Sequence, residues 1–276
     1  MCGIALKLDY PYQAVYDGKW TYDILRTYIK DAYQDVNANG SADIEDSYGL
    51  AANFATLAAM PVNAGEMPIK MTDNGFELNL YSERLVDIVE DMVAFTSNPD
   101  CYIELQGGNT LYYVFNAGRA MFEIYSSDPA YLRDVEFDFG YLPYPKFDET
   151  QKDYIVWSAG GMMAYPINAA DTKFTGTVIE ALSAGSAKYM KDAFIEKYIE
   201  GKVLRDDDSV KVYRMMRDLA TYDFSYNIDP SGVLTNNGHY RSFNQQQNAN
   251  LASWYAANKE SIQLAYDDLY KQITEN

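Results

Sequence analysis

The sequence predicts an α/β fold. Three observations carry that prediction. Stretches with apolar residues at helical spacing recur along the chain, and short apolar runs rich in β-formers stand between them. One such run, YIVWSAGGMMAYPI at 154–167, is the least polar segment of all and contains two adjacent glycines. Apolar residues make up 48% of the 276, enough to build the cores of one large or two modest domains.

The elements follow in order. Thr21 caps a helix with Ile24, Leu25, Tyr28, Ile29 and Ala32 on one face and Asp23 in its first turn. Residues 48–52 read as a short buried strand. Ser82 opens a second helix whose inner face is Leu85, Ile88, Val89, Met92 and Phe95. A short helix at 111–115 closes at Gly118, and the strand AMFEIY at 120–125 breaks off at Ser126, Ser127, Asp128 and Pro129, which makes its end a functional edge. YLPYP at 141–145 is a connection. The 154–167 run fits a strand covered on both faces, bent at Gly160 and Gly161 or closely approached there by a backbone or a ligand. Helices follow at 174–184 and 186–200, separated by Gly185 and ended by Gly201, and another runs over 208–221. The turn-rich 229–248 stretch reads as a loop. A last helix, 248–274, aligns Leu251, Trp254, Tyr255, Ile262, Ala265, Leu269 and Ile273 along one stripe.

The net charge of −18 opposes binding to nucleic acid or to an anionic membrane, whose phosphates it would repel. The richest apolar stretch, 50–62, is too short to span a bilayer and is broken by Asn53 and Pro61. Cys2 and Cys101 are the only cysteines, so no disulfide framework or cysteine metal spacing is expected. MCGIALKLDY lacks the basic and apolar regions of a secretory signal. With 26 tyrosines, the chain is well supplied with rings of the kind that hold the flat apolar faces of sugars.

One local motif is specific. DVNANGSADIED at 35–46 matches the twelve-residue calcium loop, with Asp35, Asn37 and Asn39 at positions 1, 3 and 5 and Gly40 at the turn. Ser41 would offer its carbonyl, Asp43 would bind directly or through water, and Asp46 would close the shell where a longer glutamate is usual. Without metal, the same residues would form an Asx-rich turn. His239 is the sole histidine, which excludes paired-histidine metal sites, and it reads as a solvated loop residue. GxSxG, P-loop and GxGxxG motifs are absent. Forty carboxylates leave a glycosidase dyad open without singling one out.

In order and spacing, several stretches resemble the sugar-binding receptors of ABC importers, the family 1 extracellular solute-binding proteins that include maltose-binding protein. They are DGKWTYDILRTYIKDA, the 35–46 loop leading into YGLA, FNAGRAMFEIYS, FDFGYLPYPKFDE, WSAGGMMAYPINAADTKFTGTVIEAL and the helical return YIEGKVLRDDDSVKVYRMM. The resemblance implies a type II periplasmic-binding-protein-like α/β fold with the second lobe complete and the first only partial. Residues 1–155 would begin the second lobe, 156–206 would be a fragment of the first, and 207–276 would be a helical return to the second. It implies a non-catalytic receptor that binds an oligosaccharide or other small solute, presents it to an ABC permease and is held in full length as a lipoprotein on the outer face of the cell membrane. Matched motif by motif, the ligand contacts would be Asn53 and Phe54, then Tyr125, Ser126 and Asp128, and finally Trp157 with Gly160. The strand at 157–165 would lack its usual sheet neighbours, and its unpaired backbone and uncovered face imply that this piece is disordered, self-associated or rebuilt against another chain. A glycan-active enzyme with a carboxylate dyad and a calcium-dependent interaction module are the alternatives.

Overall fold

A computed structural model describes residues 10–104, 110–125, 129–158, 163–166, 168–190 and 193–275. The fold is mixed α/β. Helices α1 (Tyr12–Tyr16) and α2 (Tyr22–Ile29) lead into strand β1 (Tyr48–Asn53), which runs directly into two short helices, α3 (Phe54–Leu57) and α4 (Met60–Asn63). A hairpin of β2 (Ile69–Thr72) and β3 (Gly75–Leu78) follows, then α5 (Glu83–Thr96), β4 (Cys101–Glu104), α6 (Thr110–Asn116) and β5 (Ala120–Ile124). Beyond these come β6 (Val156–Ser158), α7 (Thr172–Gly185), α8 (Asp207–Asp218), β7 (Ala220–Tyr222), α9 (Phe224–Asn227), α10 (Gly238–Gln246) and α11 (Leu251–Thr274). The chain divides into two compact units, one formed by Met1–Tyr125, Leu142–Ala159 and Met215–Asn276 and the other by Ser126–Tyr141 and Gly160–Arg214.

The larger unit is built on β1, the middle strand of a three-stranded parallel sheet ordered β4-β1-β5. Leu50, Ala51 and Ala52 are wholly buried, as a parallel strand covered on both faces requires. Gly49 permits this packing. A Cβ at that position would stand 2.4 Å from the Ile29 Cβ and 2.8 Å from the Ile29 backbone, so the end of α2 reaches the strand only over a glycine. Both helices next to the sheet start as their sequences predict. The Thr21 hydroxyl accepts the Ile24 N–H at 3.3 Å, and the Ser82 hydroxyl accepts the Leu85 N–H at 3.0 Å. Leu85, Ile88, Val89, Met92 and Phe95 are all buried.

A second cluster in the same unit joins the hairpin to α11: Ile69, Phe76 and Leu80 pack with Leu234, Ile262 and Tyr266. Phe76 lies at its centre, with ring centroids 5.4 Å from Phe224 and 5.2 Å from Tyr266. In the stripe expected along α11, Leu251 and Ile262 are buried, but Ile273 is 56% exposed and Tyr266 takes the inner place.

Four expectations are corrected by the structure. The long strand over 154–167 is a strand only at Val156–Ser158, and its backbone pairs in parallel with β7. Met163 and Tyr165 farther along are exposed rather than covered. The helix expected over 208–221 stops at Asp218, because Ala220–Tyr222 is taken up by that pairing. The 229–248 loop contains α10, whose Tyr240, Phe243 and Asn244 are buried. Gly185 does not separate two helices: the Ser186 backbone stays helical and wider π-type turns follow at Ser186–Met190 and Ala193–Val203.

In the smaller unit, Leu132, Phe139, Ile199, Val203, Leu204 and Val212 are buried. Arg205 ties its segments together, donating to the carbonyls of Phe137 (2.6 Å), Val135 and Arg133 while its guanidinium lies 5.3 Å over the Phe139 ring. Ser209 adds a polar clasp, accepting the Tyr141 N–H at 2.9 Å and donating to Asp206 at 2.7 Å. Helix α7, all of whose residues are described, buries none of them.

Candidate functional site

Parallel sheets bind ligands outside the carboxyl ends of their strands, where successive crossovers leave in opposite directions. Here β4 lies on one side of β1 and β5 on the other, so that point falls between the ends of β1 and β5. Asn53 is the last residue of β1, Ala52 stands beside Ile124, and Tyr125 comes next in the chain. Three of the residues implied by resemblance, Asn53, Phe54 and Tyr125, therefore stand at the ends of the two strands that flank the switch point of the sheet. Ser126, Asp128 and Gly160 lie outside the described residues.

Each of the three has a local reason for its position. Asn53 caps α3: its Oδ1 accepts the Thr56 N–H at 2.8 Å, and the Thr56 hydroxyl accepts the Asn53 N–H at 3.2 Å. Its amide oxygen is thereby committed, which leaves Nδ2 as the group able to donate elsewhere. Phe54 opens α3, and its carbonyl accepts the Asn244 Nδ2 at 3.0 Å. The Arg241 guanidinium lies 6.0 Å from the centre of the Phe54 ring. Tyr125 is half-buried, its ring 5.9 Å from that of Tyr112, which in turn lies 4.5 Å from Tyr113.

Trp157 is fixed from α4. Its N–H donates to the buried Asn63 Oδ1 at 3.0 Å, and its ring meets Tyr226 edge-on at 4.5 Å. The indole Nε1 is buried and has no hydrogen-bond partner among the described residues. The same holds for Asn63 Nδ2, Asp223 Oδ2 and the Tyr240 hydroxyl. Burial pushes the Asp223 carboxyl up from its ordinary value, although Ser225 donates to its other oxygen through both its N–H and its hydroxyl.

Sequence reasoning missed Asn63, Tyr226, Arg241 and Asn244. Three of them follow β7 in the chain. Arg241 and Asn244 belong to α10, whose start carries no signature, since Asn237 is left-handed and makes no side-chain cap. His239 is in that helix too, buried rather than solvated, and stacked on Trp254 at 4.9 Å. Burial pushes its imidazole down to about 3.

The 35–46 loop is tightly hydrogen-bonded. Asp35 accepts the N–H groups of Asn39 and Gly40, and Gly40 turns the chain with φ +77°. Asp43 accepts the Glu45 N–H at 2.7 Å and the amides of Asn39 at 2.7 Å and Asn37 at 3.1 Å, and these bonds hold its carboxyl below the usual range. The Nδ2 groups of Asn37 and Asn39 thus both point at Asp43, while their Oδ1 atoms accept the N–H groups of Asn39 and Ser41. Asp46 is wholly buried, accepting the Val36 and Asp43 N–H groups and the Tyr33 hydroxyl. Its oxygens are spent on the loop's own framework. Among the described residues, no three His, Cys, Asp or Glu side chains form a metal-holding group. Cys101 is a free, buried thiol, pushed up to about 12 by burial.

No protein-family model matches the chain, and neither a curated protein nor a solved structure does.

Proposed function

We propose that this chain is the substrate-binding component of an ABC importer, with a type II periplasmic-binding-protein-like fold, and that it holds a carbohydrate without catalysis. The observation carrying this reading is that Asn53, Phe54 and Tyr125 stand at the ends of the two strands that flank the switch point of the parallel sheet. Trp157 adds a half-buried ring of the kind that stacks on a sugar face. The receptor would act at the outer face of the membrane, handing its solute to a permease.

The reading is tested by titration calorimetry against a panel of mono- and oligosaccharides. Stoichiometric binding that Trp157→Ala weakens about tenfold or more supports it. Turnover of a chromogenic glycoside would favour the glycan-active enzyme instead.

The 35–46 loop is proposed to hold structural calcium through Asp35, Asn37, Asn39, the Ser41 carbonyl and Asp43, with Asp46 bracing the loop from inside. Added calcium should raise the melting temperature and chelator should reverse the rise. An identical melting curve in both conditions rejects the metal. Calcium-dependent capture of a protein partner in the absence of sugar would favour the interaction module.

A further proposal concerns the smaller unit, whose α7 face is an interface between two copies of the chain. Phe174 (65% exposed), Val178 and Leu182 fall at successive four-residue steps on one stripe, and Tyr189 (66% exposed) and Met190 follow. Together they form an exposed apolar stripe of the kind that marks a contact surface. Residues 171–190 carry Asp171 and Glu180 against Lys173 and Lys188, so this face is neutral in a chain of −18. Two copies meet there without the repulsion that opposes their approach elsewhere.

A further inference from the structure

The chain has eight arginines, and six of them, Arg26, Arg84, Arg133, Arg205, Arg214 and Arg217, make ion pairs with carboxylates. Arg119 spends its guanidinium on the Ile44 carbonyl at 2.8 Å. Arg241 differs from all of these. Among the described residues its guanidinium has neither a carboxylate nor a hydrogen-bond acceptor, its Nε is buried without a partner, and its one neighbour of note is the Phe54 ring. In a chain with 40 acidic residues, an arginine whose buried Nε is left without a partner carries a desolvation cost.

Its place explains what it is for. Phe54 is the first residue beyond β1, so the guanidinium stands at the carboxyl end of the central strand, where the sheet reverses its crossovers. The neighbouring Asn244 is locked by its bond to the Phe54 carbonyl, which ties α10 to α3 and fixes the helix that carries Arg241. A guanidinium lying over a ring keeps its N–H edge available, and that edge matches the two oxygens of a carboxylate. A protein of net charge −18 repels anions at long range, so one that admits an anionic ligand needs a local cation reserved for it.

We infer that Arg241 selects an acidic saccharide, pairing with the carboxylate of a uronic acid residue bound at the ends of β1 and β5. This rests on the carbohydrate-binding reading above and names its ligand class. Arg241 receives the carboxylate, Asn53 Nδ2, whose amide oxygen is committed to the cap, can donate to a hydroxyl, and the aromatic residues take the apolar sugar face.

The test is titration calorimetry of the full chain with galacturonate and glucuronate oligosaccharides beside their neutral galactose and glucose counterparts. Wild type should prefer the acidic member of a pair. In Arg241→Gln the ratio of acidic to neutral affinity should fall by about 10- to 100-fold, the range for a charge-assisted hydrogen-bonded pair, and Arg241→Lys should retain part of the preference. A neutral saccharide bound in a Trp157-dependent way, with no preference for its acidic partner, overturns this inference and leaves the receptor standing. An acidic preference that survives Arg241→Gln undiminished also overturns it. Failure of both acidic and neutral saccharides to bind overturns the inference and the carbohydrate reading together.

Discussion

The Trp157 backbone N–H donates to Asn63 Oδ1 at 3.0 Å, a bond across 94 positions of sequence that holds β6 against α4. Asn63 also accepts Gln151 Nε2 on its own carbonyl at 2.8 Å, so it is the junction where the connection before β6 joins the unit built on the parallel sheet. Asn63→Ala removes the acceptor and leaves the Trp157 N–H without one. The expected loss is about 1–3 kcal/mol, read from urea unfolding, and it should be accompanied by a change in tryptophan fluorescence. A variant as stable as wild type would show that the bond is not structural.

Gly49→Ala should be among the most damaging single-methyl additions in the chain. The new Cβ meets the Ile29 backbone, which cannot turn aside as a flexible side chain would. Overpacking of this kind costs about 1–3 kcal/mol or more. A thermal melt unchanged by the substitution would mean that α2 can slide along β1.

His239 gives the fold an acid sensitivity of definite sign. Burial keeps its imidazole neutral in the native state down to about 3, while in the unfolded chain it takes up a proton near the ordinary value of about 6.5. The unfolded state therefore binds more protons between those limits. Its contribution to stability is complete above pH ~6.5 and is lost as pH falls towards 3, by on the order of 4 kcal/mol at the low end. His239→Phe keeps a ring on Trp254 and removes the titration, and neither imidazole nitrogen has a partner to lose among the described residues. The variant should gain on wild type progressively as pH drops from 7 to 4. Parallel stability curves across that range would count against a neutral buried imidazole.

Leu182→Glu places a charge in the middle of the exposed α7 stripe. Sedimentation equilibrium should show wild type near twice its 31.3 kDa and the variant at the single-chain mass. The control is Leu264→Glu, at an equally exposed leucine of α11, which should leave the dimer intact. A wild-type chain that stays monomeric, or a dimer indifferent to Leu182→Glu, would remove α7 from any interface between copies.

The elements legible in the sequence are those whose instructions lie within a few residues. Thr21 and Ser82 mark helix starts because a hydroxyl can reach an N–H three positions on, and the spacing of Leu85, Ile88, Val89, Met92 and Phe95 marks one face because a helix repeats every 3.6 residues. Gly40 at the turn of the 35–46 loop is local in the same sense. The hairpin turn at Asp73 and Asn74 is equally local, with Gly75 following it at φ +135°.

What the chain alone did not disclose depends on partners far away in sequence. Residues 220–222 continue a helical pattern and are a strand because Val156–Ser158 lies beside them. Helix α10 has no capping side chain, and the bond from Asn244 to Phe54 that anchors it spans 190 positions. Tyr266 is buried and Ile273 exposed because the hairpin covers only the middle of α11. Arg241 is the clearest case. Composition makes it one basic residue in an acidic chain, and only the tertiary structure sets it over Phe54 with no carboxylate to answer it among the described residues. Local spacing determines which face of an element is apolar, but pairing across long separations decides which side chains are left over for a ligand.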